Sequence, residues 1–210
     1  MGNAGLLLVG AVLYLNGLVT LGVVPGRSAA LLNIFVGAIE VAIPTILLIT
    51  GGTDADFVNG VWPTYLFGIT YLYFGIGILL DSDQIGLGWY SSFVAGIAGL
   101  QAILTVGDDP VFAVMWLTWA VMWSLFFLLL GLGVEGVARF TGWFLVLGGI
   151  PSCTVSALFL LHGRWDTSAT AGWLALAALA VGSVAAFGLA RSGVARASVA
   201  PSGALEVAPT

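Results

Sequence analysis

The feature that most constrains this chain is a series of seven apolar stretches, at about 4–23, 28–50, 61–80, 88–107, 111–132, 140–161 and 170–190. Crossing the hydrocarbon core of a bilayer as a helix takes roughly 20 apolar residues, and each stretch is of that order. Polar, Gly/Pro or acidic segments divide them: Pro25-Gly26-Arg27, Gly51 to Asn59, Asp81 to Gln84, Gly107 to Pro110, Gly133 to Arg139, and His162 to Ala169. Such short connections make consecutive helices antiparallel neighbours and leave no space for a soluble domain. The expected fold is therefore an all-α membrane protein of seven transmembrane helices occupying residues 1–190. A Gly/Ala/Ser/Pro-rich tail, 191–210, is expected to be disordered and cytoplasmic.

Composition narrows the function. With 60% hydrophobic and 7% charged residues and a mean hydropathy of +1.12, lipid must be the main solvent. The five basic residues are all Arg, so no Lys exists to form a retinal Schiff base. The net charge of −5 is spread over short loops, which offers nucleic acid nothing to bind. A single cysteine, Cys153, excludes an intrachain disulfide, and with a single histidine, His162, a Cys- or His-based metal centre is not expected, nor any cofactor. No basic region precedes the first apolar run and no A-x-A site follows it, so that run is read as a retained helix, not a signal peptide.

With seven spans, Arg27, Arg139, Arg191 and Arg196 share one side, and Arg164 stands alone on the other. The positive-inside rule then places the C-terminus in the cytoplasm and the N-terminus outside, in a cell (inner) membrane. Small residues, including Ala95 and Gly99 four apart, suit close packing between helices in lipid.

Trp116, Trp119 and Trp123 recur at spacings of three and four, on one face of the fifth span and too deep for all to be interfacial anchors. Phe67 and Tyr71 share a face of the third span. Leu6, Val9, Leu13 and Asn16 form a stripe on the first. Periodicity alone reads these stripes as helix-packing seams before it reads them as a pore. Glu40 is the sharpest single signal: an acid near the middle of the second span costs roughly 2.5–3.5 kcal/mol or more and usually marks a pathway. Three states are open to it: a neutral acid hydrogen-bonded to a neighbour, an ionised group facing water, or a proton carrier. Pro44, four residues on, frees the carbonyl of residue 40. His162 reads as interfacial, the paired aspartates as loop and cap residues, and Gly148-Gly149-Ile150-Pro151 as a kink in the sixth span. No phosphate loop, Ser/His/Asp triad or metal cage is present, and an enzyme is not expected.

Several stretches, in order, resemble the UreI/AmiS family of urea channels and amide transporters: Leu6 to Gly17, Asn33-Ile-Phe-Val-Gly37, Phe67-Gly-Ile-Thr-Tyr-Leu-Tyr73, Trp89-Tyr90-Ser91, Trp116-Leu-Thr-Trp119 to Trp123, and Phe140-Thr-Gly-Trp143. The resemblance implies a homo-hexamer with a pore through each protomer. It implies one narrow point formed with Leu6, Leu13 and Trp123, and another lined by Val9, Phe67, Tyr71, Trp116 and Trp119, with Met122 at a pore leucine. Two departures stand out. Gly148 occupies the place of an acidic residue of the acid-activated channel, and Gly51 to Asn59 lacks that channel's histidines, so acid gating is not expected. The extra seventh span tilts the resemblance toward the amide-transporter branch.

The resulting expectation is a passive channel for urea or short aliphatic amides. Asn16, Glu40 or freed carbonyls would accept from the amide NH2, and indoles or Tyr71 would donate to its oxygen. The rivals are a proton-coupled amide carrier using Glu40 and a non-transport membrane scaffold.

Overall fold

The computed structural model describes residues 2–194. Among these it is entirely helical, with seven segments long and apolar enough to cross a membrane: Gly2–Thr20, Gly26–Gly51, Ala55–Leu79, Ile85–Thr105, Pro110–Gly131, Glu135–Leu161 and Ala169–Ser192. The first two are α1 and α2. The third comprises a short α3 (Ala55–Val61) and α4 (Thr64–Leu79), and the fourth is α5. The fifth is α6 (Pro110–Phe126) with a π-helical end at Phe127–Gly131. The sixth holds α7 (Ala138–Gly149), a π-helical stretch Ile150–Val155 and α8 (Ser156–Leu161), and the seventh is α9. The tail expected over 191–210 begins inside α9, and from residue 195 on lies outside the described residues.

Local chemistry explains the boundaries. Asp54 Oδ1 accepts the N–H groups of Asp56 and Phe57, each at 3.1 Å, and so starts α3 inside a segment expected to be loop. Pro63, which has no N–H to donate, separates α3 from α4. Asp109 Oδ1 accepts the Phe112 N–H at 2.8 Å, with Pro110 at the first helical position. Ser168 Oγ caps α9, and Gly193, in the left-handed region at φ 73°, ends it.

Where the sequence leads one to expect a kink, at 148–151, the helix widens into the π-helical stretch Ile150–Val155. Pro151 removes a donor there, and two serines satisfy carbonyls around it: Ser152 Oγ donates to Gly148 O at 2.7 Å and Ser156 Oγ to Pro151 O at 3.0 Å.

Helices α1, α2, α4, α5, α6 and α7–α8 close around one axis, with α2 on α4, α5 on α6, and α1 against both α2 and α7. Small residues allow these approaches: a Cβ at Gly37 would stand 2.8 Å from Leu72 N, and one at Gly10 2.9 Å from Thr154 N. Between α1 and α2 the buried Asn16 and Asn33 exchange reciprocal Nδ2–H···Oδ1 bonds, both 2.8 Å, and Asn33 also donates to Ala29 O. Gly99, expected at a packing seam, has open space where its Cβ would be.

The seventh span stands outside this ring. α9 packs on α6 and α7 and buries only Gly172 and Ala186, while Trp173 is 71% exposed. Arg139 on α7 donates from its guanidinium to Ala190 O at 2.9 Å and Val194 O at 2.8 Å, clamping the end of α9 where orphan carbonyls and the helix dipole favour a cation.

Candidate functional site

Three cavities follow one another along the axis of the ring. The largest, a vestibule of about 540 Å³, reaches helix ends at Gly2, Asn59 and Asp108 and narrows inward past Leu6, Val9, Glu40 and Trp116 to Phe67 and Trp119. Phe67 and Trp119 also roof a second cavity of about 20 Å³, lined by Leu13, Thr70, Tyr71, Met122, Trp123 and Phe126. Thr70, Tyr71 and Phe126 are shared in turn with a third of about 10 Å³, where Asn16, Phe74, Leu87 and Ser91 complete the wall. Shared walls make the three a single file. The two inner cavities each hold on the order of one water molecule.

The constriction is aromatic. The Phe67 ring lies edge-on to Trp119, with centroids 5.0 Å apart and planes at 86°, and 4.7 Å from Trp123. Trp116 meets Trp119 at 5.0 Å and 80°. Trp119 is held from behind, its Nε1–H donating to Ser152 Oγ at 3.2 Å. The π-helical stretch of the sixth span thus positions the key indole of the fifth, a link that sequence spacing does not reveal. The polar groups of the inner cavities are restrained too: Thr70 Oγ1 donates to Leu66 O at 2.7 Å and Ser91 Oγ to Leu87 O at 2.8 Å. Their oxygens keep acceptor capacity for a passing N–H.

Every lining residue expected from the sequence borders one of these cavities, but in a different grouping. Leu6 belongs to the vestibule and Leu13 to the second cavity, because seven residues of helix separate them by about 10 Å. Asn16 borders the third cavity with its amide committed to Asn33. Glu40 is 2% exposed, borders the vestibule, and has Oε1 buried without a hydrogen-bond partner. Gly148 lies beside Met122, whose Cε would be 3.0 Å from a Cβ there. Residues the sequence reading passed over include Thr70 and Phe74, which continue the Phe67 face, and Phe112 and Phe126, which extend the tryptophan face. Leu87 and Ser91 of α5 carry no such signal.

At the vestibule side, Trp165 Nε1–H donates to Asp109 Oδ2 at 2.6 Å, joining the loop before α9 to the start of α6. A separate cavity of about 80 Å³ lies between α6, α7 and α9, with Ser152 in its wall. The described residues contain no cluster of His, Cys, Asp and Glu able to hold a metal ion.

Comparison with known proteins agrees with this architecture. The family model described as AmiS/UreI family transporter matches residues 1–164, ending before α9. The chain is 49% identical to the putative transporter protein AmiS2 of Rhodococcus erythropolis over 87% of its own length and 90% of the relative's. It is 29% identical to an acid-activated urea channel of Helicobacter pylori, over 76% of this chain and 97% of that one. The crystal structure of the H. pylori urea channel superposes with a TM-score of 0.72 at 30% identity, covering 79% of this chain and all (100%) of that one. The family match over most of the chain, with a helical fold shared with the urea channel, identifies the chain as a multi-pass membrane protein of the AmiS/UreI transporter family, which is not a family of enzymes, with higher identity on its amide-transporter side.

Proposed function

We propose that the protein is a passive channel for urea or short aliphatic amides that is not gated by acid. The observation that carries this reading is the single file of cavities inside one protomer, polar at its wide end and closed by aromatic rings within. A neutral amide is flat, with two apolar faces and a polar rim. The Phe67, Trp119 and Trp123 rings suit the faces, and the hydroxyls of Tyr71, Thr70 and Ser91 suit the rim. The inner cavities are smaller than an amide, so passage needs these rings to yield. A hydrated ion would have to shed water there for too few replacement ligands.

Absence of acid gating is supported by the lack of histidine between Gly51 and Asn59 and by the single His162, whose exposed ring sits at the end of α8, bonded to Leu158 O. The exposed apolar rim agrees with a homo-hexamer in lipid, and the arginine distribution with an outside N-terminus in the cell (inner) membrane.

The test is reconstitution and stopped-flow light scattering on liposomes under urea, acetamide and glycerol gradients. Fast amide-driven swelling, slow glycerol and no response to a proton gradient are expected. Accumulation of amide that collapses with a protonophore would favour the carrier using Glu40 instead. No acceleration with folded protein would favour a scaffold.

A further inference from the structure

The vestibule contains one group with no structural partner to explain it. Glu40 sits on α2 where Gly5 of α1 and Gly68 of α4 leave room: a Cβ at Gly5 would overlap Oε1, and one at Gly68 would approach the Glu40 backbone carbon to 3.1 Å. The carboxyl is therefore packed against α1, while the Glu40 backbone meets α4 at Gly68, the residue after Phe67 of the vestibule floor. Its Oε1 is buried against Gly5 and receives no hydrogen bond, and its Oε2, which also has no protein partner, is the oxygen left to the vestibule. The described arginines, Arg27, Arg139, Arg164 and Arg191, all lie at helix ends or in loops, so no cation shares its depth. Two asparagines on the neighbouring seam satisfy each other, which shows that this bundle can pair a buried polar group when the role is only to join helices. An orphaned buried acceptor is costly unless a donor arrives from outside the protein.

We propose that Glu40 determines specificity at the vestibule floor, accepting an N–H from the amide group of the solute, so that primary amides and ureas are favoured and amides are slowed as their N–H groups are replaced by alkyl groups. A carboxyl keeps an acceptor oxygen whether or not it is ionised, so the role does not require proton transfer. Discrimination of this kind is strong because the solute lacking the N–H leaves the site's buried acceptor unpaired. This inference rests on the amide-channel reading and deepens it by naming the edge of the solute that is recognised.

Propionamide, N-methylacetamide and N,N-dimethylformamide share one molecular formula and carry two, one and no N–H, so size is held nearly constant while the donor is removed. Protein-dependent swelling of liposomes should fall in that order, by about tenfold from first to last, the equivalent of one hydrogen bond of about 1.4 kcal/mol. Glu40→Leu should collapse the ratio, and Glu40→Gln, which keeps an acceptor oxygen, should restore it relative to Glu40→Leu. Equal protein-dependent rates for the isomers in the wild type would overturn the proposal without any variant. So would retention of the order by folded Glu40→Leu, or its loss in folded Glu40→Gln. If urea and all the isomers move no faster than in empty liposomes, the channel reading itself fails and the inference falls with it. Fast urea with indifferent isomers refutes the role of Glu40 alone.

Discussion

Replacing Asn16 by Ala removes both 2.8 Å bonds that tie α1 to α2. It leaves Asn33, 0% exposed, with an unpaired Oδ1 and one unpaired N–H, its other N–H still held by Ala29 O at 3.0 Å. Hydrogen bonds between membrane helices contribute about 0.6 kcal/mol on average and up to about 1.7 each, so two lost together amount to about 1–3 kcal/mol. Asn33→Ala should cost a similar amount, since it orphans the same groups on the other helix. The double variant leaves no orphan, only a small void, and should cost less than the sum of the single changes by about 1 kcal/mol or more. Cys153, the only cysteine and fully buried, supplies the assay: a thiol-reactive fluorophore reports unfolding during SDS titration of the detergent-solubilised protein. Additivity of the two changes within about 0.5 kcal/mol would refute the reciprocal pair. A large loss of amide flux in Asn16→Ala with unchanged stability would instead restore Asn16 as a solute ligand.

Other changes test other parts of the bundle. Trp119→Ala and Tyr71→Phe should alter amide flux without preventing assembly, and unchanged uptake at equal membrane level would remove both from the pathway. Phe67→Ala takes away the ring that faces both Trp119 and Trp123, so swelling under longer amides such as butyramide should quicken relative to urea. Asp109→Ala removes the α6 cap and the acceptor for Trp165, costing about 1–2 kcal/mol in the same SDS titration, and Asp109→Asn should cost less because it keeps one acceptor oxygen. Gly37→Val places branched carbons against Leu72 and should abolish recovery of folded protein, whereas Gly99→Ala, with open space at its Cβ, should melt within a degree or two of the parent.

By itself the sequence determined the number of spans, their order and the faces that turn inward, because solvation by lipid forces each apolar stretch into a helix and the spacing of Leu6, Val9 and Leu13, or of Trp116, Trp119 and Trp123, sets direction around that helix. Periodicity cannot say what a face meets. Only the tertiary structure decided that Asn16 is spent on Asn33, that Leu6 and Leu13 border different cavities, and that Ser152 holds the Trp119 indole from another span. It alone placed α9 outside the ring, since a helix apolar all round is equally stable against lipid or against its neighbours. The orphaned oxygen of Glu40 belongs to the same class: the sequence shows a carboxyl at mid-membrane, and only the packing of α1, α2 and α4 shows that no protein group satisfies it. Contacts across helices depend on rotation and register between elements distant in the chain, which local spacing does not encode.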